Sequence, residues 1–319
     1  MNKRKLWLRI AAVLLICGLM IVAAALLVYD GDIAALNSAK YETNTYPVDE
    51  FFRHISIDAD TEDIFFVPGE GGKCEVICYE DAKIPHTVTV RDDTLVIGTR
   101  DERELPDRIG IWTEATSITI CLPEEEYGRL HIDADTGDIT IPAEFRFERV
   151  QIETDTGDVE NTAAVSGRME IDTDTGDIRM ENLAASSLEL STSTGDVFLA
   201  GVDCEGNVEI EVSSGRVELS DFRCRNFMSE GNTGMLSLTK VIVGEKFSAV
   251  RTTGDVSFAD SDAAELFIKT ETGDVSGSLR SDKIFFVTTD TGDVELPKTT
   301  TGGSCEIITG TGDVRLEIR

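Results

Sequence analysis

A short phrase built on Thr-Gly-Asp recurs ten times beyond residue 130, and it constrains the fold more than any other feature of the chain. Its central glycines are spaced by 19 or 20 residues: Gly137, Gly157, Gly176, Gly195, Gly215, Gly234, Gly254, Gly273, Gly292 and Gly312. A fixed short period is typical of repeat proteins, in which each unit buries its apolar face against its neighbours. The sequence therefore predicts a stack of similar units over residues 130–319.

Each repeat has the pattern of two short strands joined by a turn. In the third repeat, Met169 and Ile171 precede Gly176 with polar residues between them, and Ile178 and Met180 follow it in the same way. Alternation with a period of two predicts strands, and glycine allows the sharp turn. Strands this short must pair with the equivalent strands of the next repeat. We therefore predict an all-β fold, a parallel β-solenoid of ten 19–20-residue coils and roughly 48 Å in length; a β-meander is the alternative.

Residues 1–29 predict a membrane anchor. Lys3, Arg4, Lys5 and Arg9 precede or begin an apolar run that is long enough to cross a bilayer as one helix. The positive-inside rule then places the N-terminus in the cytoplasm and the C-terminal domain outside the cell membrane. A cleaved signal peptide, with a small-residue site at residues 23–25, is the alternative. Both interpretations export residues 30–319.

The segment between the anchor and the repeats divides into two parts. Residues 30–50 have no clear periodicity and are interpreted as a stalk. Residues 51–129 are interpreted as an N-terminal β section that caps the solenoid; they contain a degenerate copy of the repeat, with Glu62 in the place of glycine, and a hairpin over residues 87–97. Capping protects a sheet edge from aggregation. Because residues 314–318 end the chain without a separate cap, end-to-end self-association is a further expectation.

The hairpin, the strand pattern Ile118-x-Ile120-x-Leu122-Pro123 and the serial Thr-Gly-Asp-Val phrase together resemble the bacterial putative-adhesin domain family of unknown function. The resemblance covers roughly residues 50–319. It implies a membrane-anchored protein of the cell envelope, in some members associated with envelope stress. The family offers no catalytic residues to carry over, so the resemblance favours a non-catalytic binding or spacer module.

The charge of the chain restricts its partners. With 60 acidic and 29 basic residues the net charge is −31, and such a surface disfavours nucleic acid and anionic lipid. An envelope protein or glycan is the expected partner, in addition to the membrane that the N-terminal helix enters.

Of seven cysteines, Cys204 and Cys224 each follow their glycine by nine residues and should stack in adjacent coils within disulfide range. Reduced, buried thiols are the alternative.

An aspartate directly after the glycine is the clearest candidate for chemistry. Eight of the ten repeats carry it: Asp138, Asp158, Asp177, Asp196, Asp255, Asp274, Asp293 and Asp313. These side chains should form a line along one edge of the rod. Calcium bound between stacked carboxylates is one hypothesis, and capping of backbone N–H groups at the turns is the other. The chain lacks the Gly-Gly-x-Gly-x-Asp repeat of calcium-binding β-rolls, and no other cofactor is indicated.

An enzymatic interpretation has little support in the pattern. Solenoid enzymes that act on glycans use paired carboxylates at one place on the rod, where loops interrupt the repeat. Here the repeat is nearly unbroken, and only residues 226–235 are irregular, so no catalytic residue is predicted. We therefore expect a non-catalytic cell-envelope surface protein, an adhesin or spacer. A carbohydrate-active β-solenoid enzyme and a calcium-stabilised extracellular rod are the alternatives.

Overall fold

The computed structural model describes residues 40–100 and 115–319, together with the isolated positions 15, 18 and 20. Within this described part, no helix is both long enough and apolar enough to span a membrane. The predicted anchor over residues 1–29, apart from those isolated positions, and the first part of the predicted stalk lie outside the described residues.

The N-terminal section consists of seven strands and one short helix. They are β1 (Tyr41–Val48), β2 (His54–Ala59), β3 (Glu62–Pro68), a 3-10 helix (Glu70–Gly72), β4 (Cys74–Asp81), β5 (His86–Arg91), β6 (Thr94–Thr99) and β7 (Thr116–Leu122).

The repeat region continues with twenty-one strands. They are β8 (Glu126–Thr136), β9 (Ile139–Ile141), β10 (Arg146–Thr156), β11 (Val159–Asn161), β12 (Ala164–Thr175), β13 (Ile178–Glu181), β14 (Ala184–Thr194), β15 (Val197–Ala200), β16 (Asp203–Cys204), β17 (Asn207–Ser214), β18 (Val217–Ser220), β19 (Arg223–Cys224), β20 (Asn226–Thr233), β21 (Leu236–Thr239), β22 (Ile242–Thr253), β23 (Val256–Thr272), β24 (Val275–Leu279), β25 (Lys283–Thr291), β26 (Val294–Glu295), β27 (Gly303–Thr311) and β28 (Val314–Ile318).

The repeat strands form two parallel sheets that face each other across the core. The strands before each glycine build the long-strand sheet, where Val150 of β10 lies between Leu130 of β8 and Met169 of β12. The strands after each glycine build the short-strand sheet, where Val159 lies between Ile139 and Ile178. Strand β23 is long enough to belong to both sheets. The predicted parallel β-solenoid is confirmed.

The side chains that the sequence pattern placed inside are buried. Met169, Ile171, Ile178 and Met180 all point into one continuous apolar core. Because the turn changes the parity of the alternation, the inward rows of both strands of a coil face the same interior. In the middle of the rod the core is aromatic: the rings of Phe227 and Phe247 stack with their centroids 5.1 Å apart.

The turns bring consecutive coils so close together that a side chain would not fit. At Gly234, which has φ of 137°, a Cβ atom would lie 1.7 Å from the carbonyl oxygen of Gly215. Glycine is therefore required by the contact between coils as well as by its positive φ. In the degenerate first coil Glu62 replaces glycine, and its carbonyl oxygen lies under Gly137 in the equivalent contact.

The coils at the C-terminal end do not stack in chain order. Strand β27 lies between β23 and β25, and β28 lies between β24 and β26, so the last coil is inserted between the eighth and the ninth. Gly302 and Gly303 make this insertion possible, because Cβ atoms there would lie 1.7 Å from the carbonyl oxygens of Asp282 and Ala264 on the two neighbouring coils. Residues 314–318 end the chain without a separate cap, but they lie inside the stack between β24 and β26 rather than at the end of the rod.

The ninth coil, residues 283–296, forms the C-terminal end of the rod instead. Its outward and edge positions leave Ile284, Phe286 and Val294 exposed to solvent. Among the strands of residues 40–100 and 115–319, β25 pairs with β27 alone and β26 pairs with β28 alone. End-to-end association stays a prediction, and the surface that it concerns is this coil.

The N-terminal end is also rearranged. Strands β2 and β3 stack between β8 and β9 on one side and β6 and β7 on the other, in parallel. Antiparallel strands then complete the end: β5 pairs with β6 in the predicted hairpin, β4 pairs with β7, and β1 pairs with β4. The assignment of residues 41–48 to the stalk is wrong, because the backbone of β1 extends the short-strand sheet and Tyr46 and Val48 pack on the core.

Candidate functional site

The predicted row of aspartates lies along one edge, and every carboxylate except that of Asp293 accepts a backbone N–H of a neighbouring coil. The N–H of Asp158 donates to Asp138 Oδ1 at 2.9 Å, the N–H of Asp177 donates to Asp158 Oδ1 at 2.8 Å, and the N–H of Asp196 donates to Asp177 Oδ1 at 2.7 Å. Asp63 of the degenerate coil begins the series by accepting the N–H of Asp138 at 3.0 Å. These are charge-assisted turn caps.

A second run of the same contacts occupies the C-terminal coils. Asp255 accepts the N–H of Asp274, Asp274 accepts that of Asp313, and Asp313 accepts that of Asp293, each at 2.8 Å. The order of acceptance follows the stacking of the coils, with the tenth before the ninth. The eight predicted aspartates therefore fall into two runs, each held by direct hydrogen bonds between coils. In stacking order the first run is Asp138, Asp158, Asp177 and Asp196, and the second is Asp255, Asp274, Asp313 and Asp293.

The two runs are separated where Arg216 and Met235 replace aspartate. The N–H of Arg216 still donates to Asp196 Oδ1 at 2.7 Å, and its guanidinium binds Asp196 Oδ2 at 2.7 Å. Neither Arg216 nor Met235 has a carboxylate to offer the next coil. The first run therefore ends in an ion pair, and the second begins again at Asp255.

The hydrogen bonds and ion pairs limit how the aspartates are able to bind a cation. In every aspartate of the two runs except Asp293, the last in stacking order, Oδ1 accepts a backbone N–H, so that Oδ2 is the remaining ligand atom. At Asp313 the N–H of Asp293 and the nearby Arg315 hold the pKa of the carboxyl below its ordinary value, and Arg315 lies 2.6 Å from Oδ2. Turn capping accounts for the Oδ1 atoms, and calcium binding at the Oδ2 atoms stays a prediction.

The irregular residues 226–235 surround a buried arginine. Arg251 extends its side chain over Gly231 of the neighbouring coil, where any Cβ atom would lie 2.6 Å from Nη1. Its Nη2 donates to Ser229 Oγ at 2.7 Å, and burial lowers the pKa of the guanidinium to about 10, against the opposing effect of Glu230. The polar and small residues that interrupt the pattern here therefore accommodate Arg251 inside the rod.

A polar cluster that the sequence analysis missed lies inside the N-terminal section. Glu80 of β4 and His86 of β5 are both buried, and His86 Nδ1 lies 2.5 Å from Glu80 Oε2. The same oxygen accepts the backbone N–H of His86 at 2.6 Å, while Asn44 and Tyr46 of β1 donate to Oε1 at 2.6 and 2.8 Å. Burial raises the pKa of Glu80, but these hydrogen bonds outweigh that effect and hold the pKa below its ordinary value.

Two more groups complete this cluster. Cys78 is fully buried two residues before Glu80, and a sulfur, a carboxylate oxygen and an imidazole nitrogen from Cys78, Glu80 and His86 all lie within 4.8 Å of one another. Burial, reinforced by the charges of Glu80 and Glu62, raises the pKa of the Cys78 thiol to about 12. Glu62 approaches from the other side, with Oε1 3.7 Å from His86 Nε2.

The outer face of the long-strand sheet carries rows of like charge. Glu170, Glu189 and Glu209 lie side by side on consecutive strands, and Glu211 lies beside Glu230. Partial desolvation, together with the charges of Glu189, Glu211 and Glu230, raises the pKa of Glu209. Arg168 neutralises part of this charge by pairing with Glu170 and Glu189. The face keeps a negative potential in which the neighbouring carboxylates of Glu209, Glu211 and Glu230 are destabilising.

The predicted cysteine pair is present as thiols. All six described cysteines are free, and Cys204 and Cys224 are buried in adjacent coils. Burial raises the pKa of both thiols. This matches the alternative of reduced, buried groups.

Comparison with known proteins gives a family match and several similar folds. The model of a family described as Toastrack DUF4097 matches residues 52–212 and 205–319. No curated protein has significant similarity to the chain.

Three solved structures illustrate the likeness in fold. A protein named a putative adhesin from Bacteroides fragilis is 15% identical, with 88% of this chain and 98% of that chain covered and a TM-score of 0.46. Another protein of that name from Parabacteroides distasonis is 11% identical, with the same coverage and a TM-score of 0.47. A putative lipid binding protein from Parabacteroides distasonis is also 11% identical, with the same coverage and a TM-score of 0.46.

Proposed function

The chain belongs to the Toastrack DUF4097 family over residues 52–319, and from this premise we propose that it is a non-catalytic surface protein of the cell envelope. In this proposal residues 1–29 anchor it in the cell membrane and the solenoid stands outside, where it binds an envelope protein or glycan, or acts as a spacer. The resemblance to the putative-adhesin family noted above supports the same assignment.

The observation that carries the proposal is the continuity of the two sheets from coil to coil. The long-strand sheet runs in parallel register from β6 to β25, and the short-strand sheet runs from β7 to β26. Solenoids of this kind offer an extended, repetitive surface for contact with a partner. The rows of glutamate on the long-strand face, with the net charge of −31, make that surface selective for partners that tolerate or neutralise negative charge.

The binding test uses purified full-length chain in detergent and a defined panel of envelope glycans and envelope proteins, measured at several salt concentrations. A Glu189→Gln/Glu209→Gln variant removes two charges from the long-strand face. The matched control, Glu160→Gln/Glu218→Gln, removes two charges from the short-strand face. We expect saturable binding that the first variant changes and the control leaves unchanged. Absence of saturable binding across the panel would contradict a binding role and leave only the spacer.

Location is tested separately on intact cells. A protease added from outside should remove an epitope placed after Arg319 and leave one placed before Met1 intact. Cleavage of both epitopes only after lysis would contradict the proposed orientation.

A carbohydrate-active enzyme is the second candidate, and the specific observation in its favour is the raised pKa of Glu209 beside Glu189 on the next strand. A general acid needs such a raised pKa, and a second carboxylate is required nearby. Both glutamates lie on an open sheet face. The test is release of reducing ends from envelope glycans. Release that Glu209→Gln abolishes would establish an enzyme and overturn the proposal of a non-catalytic protein.

A further inference from the structure

The buried cluster at the N-terminal end of the rod contains a nitrogen without a partner. His86 Nε2 is shielded from solvent and makes no hydrogen bond, although the imidazole lies between two glutamates. An unpaired buried polar atom is unfavourable, because it loses its hydrogen bonds to water and gains none in the fold. Nothing in the parallel stacking of the coils requires a histidine here, so the atom points to a ligand.

The surroundings of Nε2 match the coordination chemistry of zinc. Because an ionised Glu80 is only able to accept hydrogen bonds, Nδ1 must donate to it. In the neutral imidazole, the form that binds metals, this leaves Nε2 with its lone pair directed into the cluster. Glu62 Oε1 faces Nε2 at 3.7 Å, and the other oxygen of Glu62 is held by the N–H groups of Asp60 and Thr61 at 3.0 Å each. Two ligands of a tetrahedral zinc ion lie about 3.4 Å apart, close to this separation.

We propose that the cluster is a structural zinc site, with His86 Nε2, Cys78 Sγ and Glu62 Oε1 as ligands and Glu80 as the positioning carboxylate. The Cys78 sulfur lies within 4.8 Å of a ring nitrogen of His86 and a carboxylate oxygen of Glu80, and Glu62 Oε1 lies 3.7 Å from His86 Nε2. In this proposal a rotation of the Glu62 side chain brings the three ligand atoms around one ion. Glu80 holds the imidazole through Nδ1, the arrangement by which carboxylates orient metal-bound histidines. Sulfur and nitrogen donors favour zinc over calcium or magnesium. A water molecule completes four-coordination, because the second oxygen of Glu62 and both oxygens of Glu80 already accept hydrogen bonds.

The position of the site gives it a structural consequence. Glu62 begins β3, Cys78 lies on β4 and His86 begins β5, so that one ion joins strands of both sheets. These strands belong to the part of the rod where the parallel coils give way to antiparallel pairing. A metal bound only in the folded state adds its binding free energy to stability. The site therefore stabilises the folded N-terminal cap, independently of any partner bound to the sheet faces.

The test uses cobalt as a spectroscopic probe in purified full-length chain freed of metal with a chelator. We expect one equivalent of Co²⁺ to produce a near-ultraviolet thiolate-to-cobalt absorption band, and one equivalent of Zn²⁺ to remove it. Cys78→Ser should lose the band, whereas Cys224→Ser, which alters a buried thiol remote in sequence from these residues, should keep it. Glu80→Gln should keep the band and weaken binding about 10–100-fold.

The outcomes separate the site from general damage. Far-ultraviolet circular dichroism of each variant establishes that it is folded before the titration is interpreted. A folded native chain that gives no band, or a band that survives in Cys78→Ser, overturns the proposal. Loss of the band in both cysteine variants would do the same, because it would show a response to folding rather than to ligation.

Discussion

The row of turn aspartates allows a substitution that distinguishes a backbone cap from a metal ligand. Asp158 Oδ1 accepts the N–H of Asp177 at 2.8 Å. Asp158→Ala removes this acceptor and leaves the N–H to water. The contact resembles an N-cap, where loss of the acceptor costs about 0.5–2 kcal/mol. Because the pair is exposed and water replaces part of the bond, we expect a loss of about 1 kcal/mol.

Asp158→Asn provides the matched control, because an amide keeps the oxygen that accepts the N–H and loses only the charge. We expect its stability to stay within about 0.5 kcal/mol of the native chain. The measurement is thermal unfolding followed by circular dichroism, in which a loss of 1 kcal/mol lowers the midpoint by about 2–4 °C. It is run with calcium and with a chelator at constant ionic strength.

Two results would refute the reasoning. If Asp158→Asn is as destabilising as Asp158→Ala, the charge rather than the acceptor matters at this position. If calcium raises the midpoint of the native chain and that rise disappears in Asp158→Asn, the aspartates form a metal site in addition to the caps. A chain that responds to neither substitution would show that the turn hydrogen bonds contribute nothing measurable.

Three further predictions concern the core, the turns and the acidic face. Gly234→Ala should lower the free energy of unfolding by at least about 2 kcal/mol in chemical denaturation, because the carbonyl oxygen of Gly215 occupies the place of the new Cβ. Gly244→Ala is the control and should change little, because no atom lies nearer than 3.6 Å to its new Cβ. Equal effects of the two substitutions would contradict the steric argument. Phe227→Ala should cost about 3–5 kcal/mol by opening a cavity, and Phe286→Ala, at the exposed end, should be nearly neutral; similar losses would show that the end of the rod is covered. Glu209→Gln should stabilise by a few tenths of a kcal/mol at neutral pH after solvent screening. Since the pKa of Glu209 is raised, the native state binds its proton more tightly, so this advantage should vanish as pH falls below that pKa; an advantage that grows in acid would contradict it.

The architecture of the coils was predictable because every repeat has the same two rows of alternating apolar residues, one on each side of its glycine. Residues such as Met169 and Ile178 must point inward for the core to close, and their spacing from the glycine fixes the strand register. The row of aspartates followed from the same period. Its hydrogen-bonding role was one of two hypotheses, since spacing alone does not reveal which atom a carboxylate contacts.

The ends of the rod were not predictable in the same way. All repeats share one pattern, so the pattern alone allows any coil to stack on any other. The position of the inserted last coil depends on close contacts at Gly302 and Gly303, which are not apparent from the sequence. The buried cluster was missed for a related reason. Cys78 and Glu80 have inward parity, but they meet His86 only because β4 and β5 join opposite sheets.

The inserted last coil has a consequence for how the chain is made and how it evolves. A chain that emerges from the N-terminus onward is able to add coils in their native order only as far as the eighth, because the native neighbour of the ninth is built by residues 303–319. The final two coils therefore reach their native order only after residues 303–319 have emerged. Loss of the last seventeen residues would release two layers rather than one. Because coils in the middle of the rod contact only their two neighbours, we expect duplication or deletion of whole repeats to be accommodated there rather than at the rearranged ends.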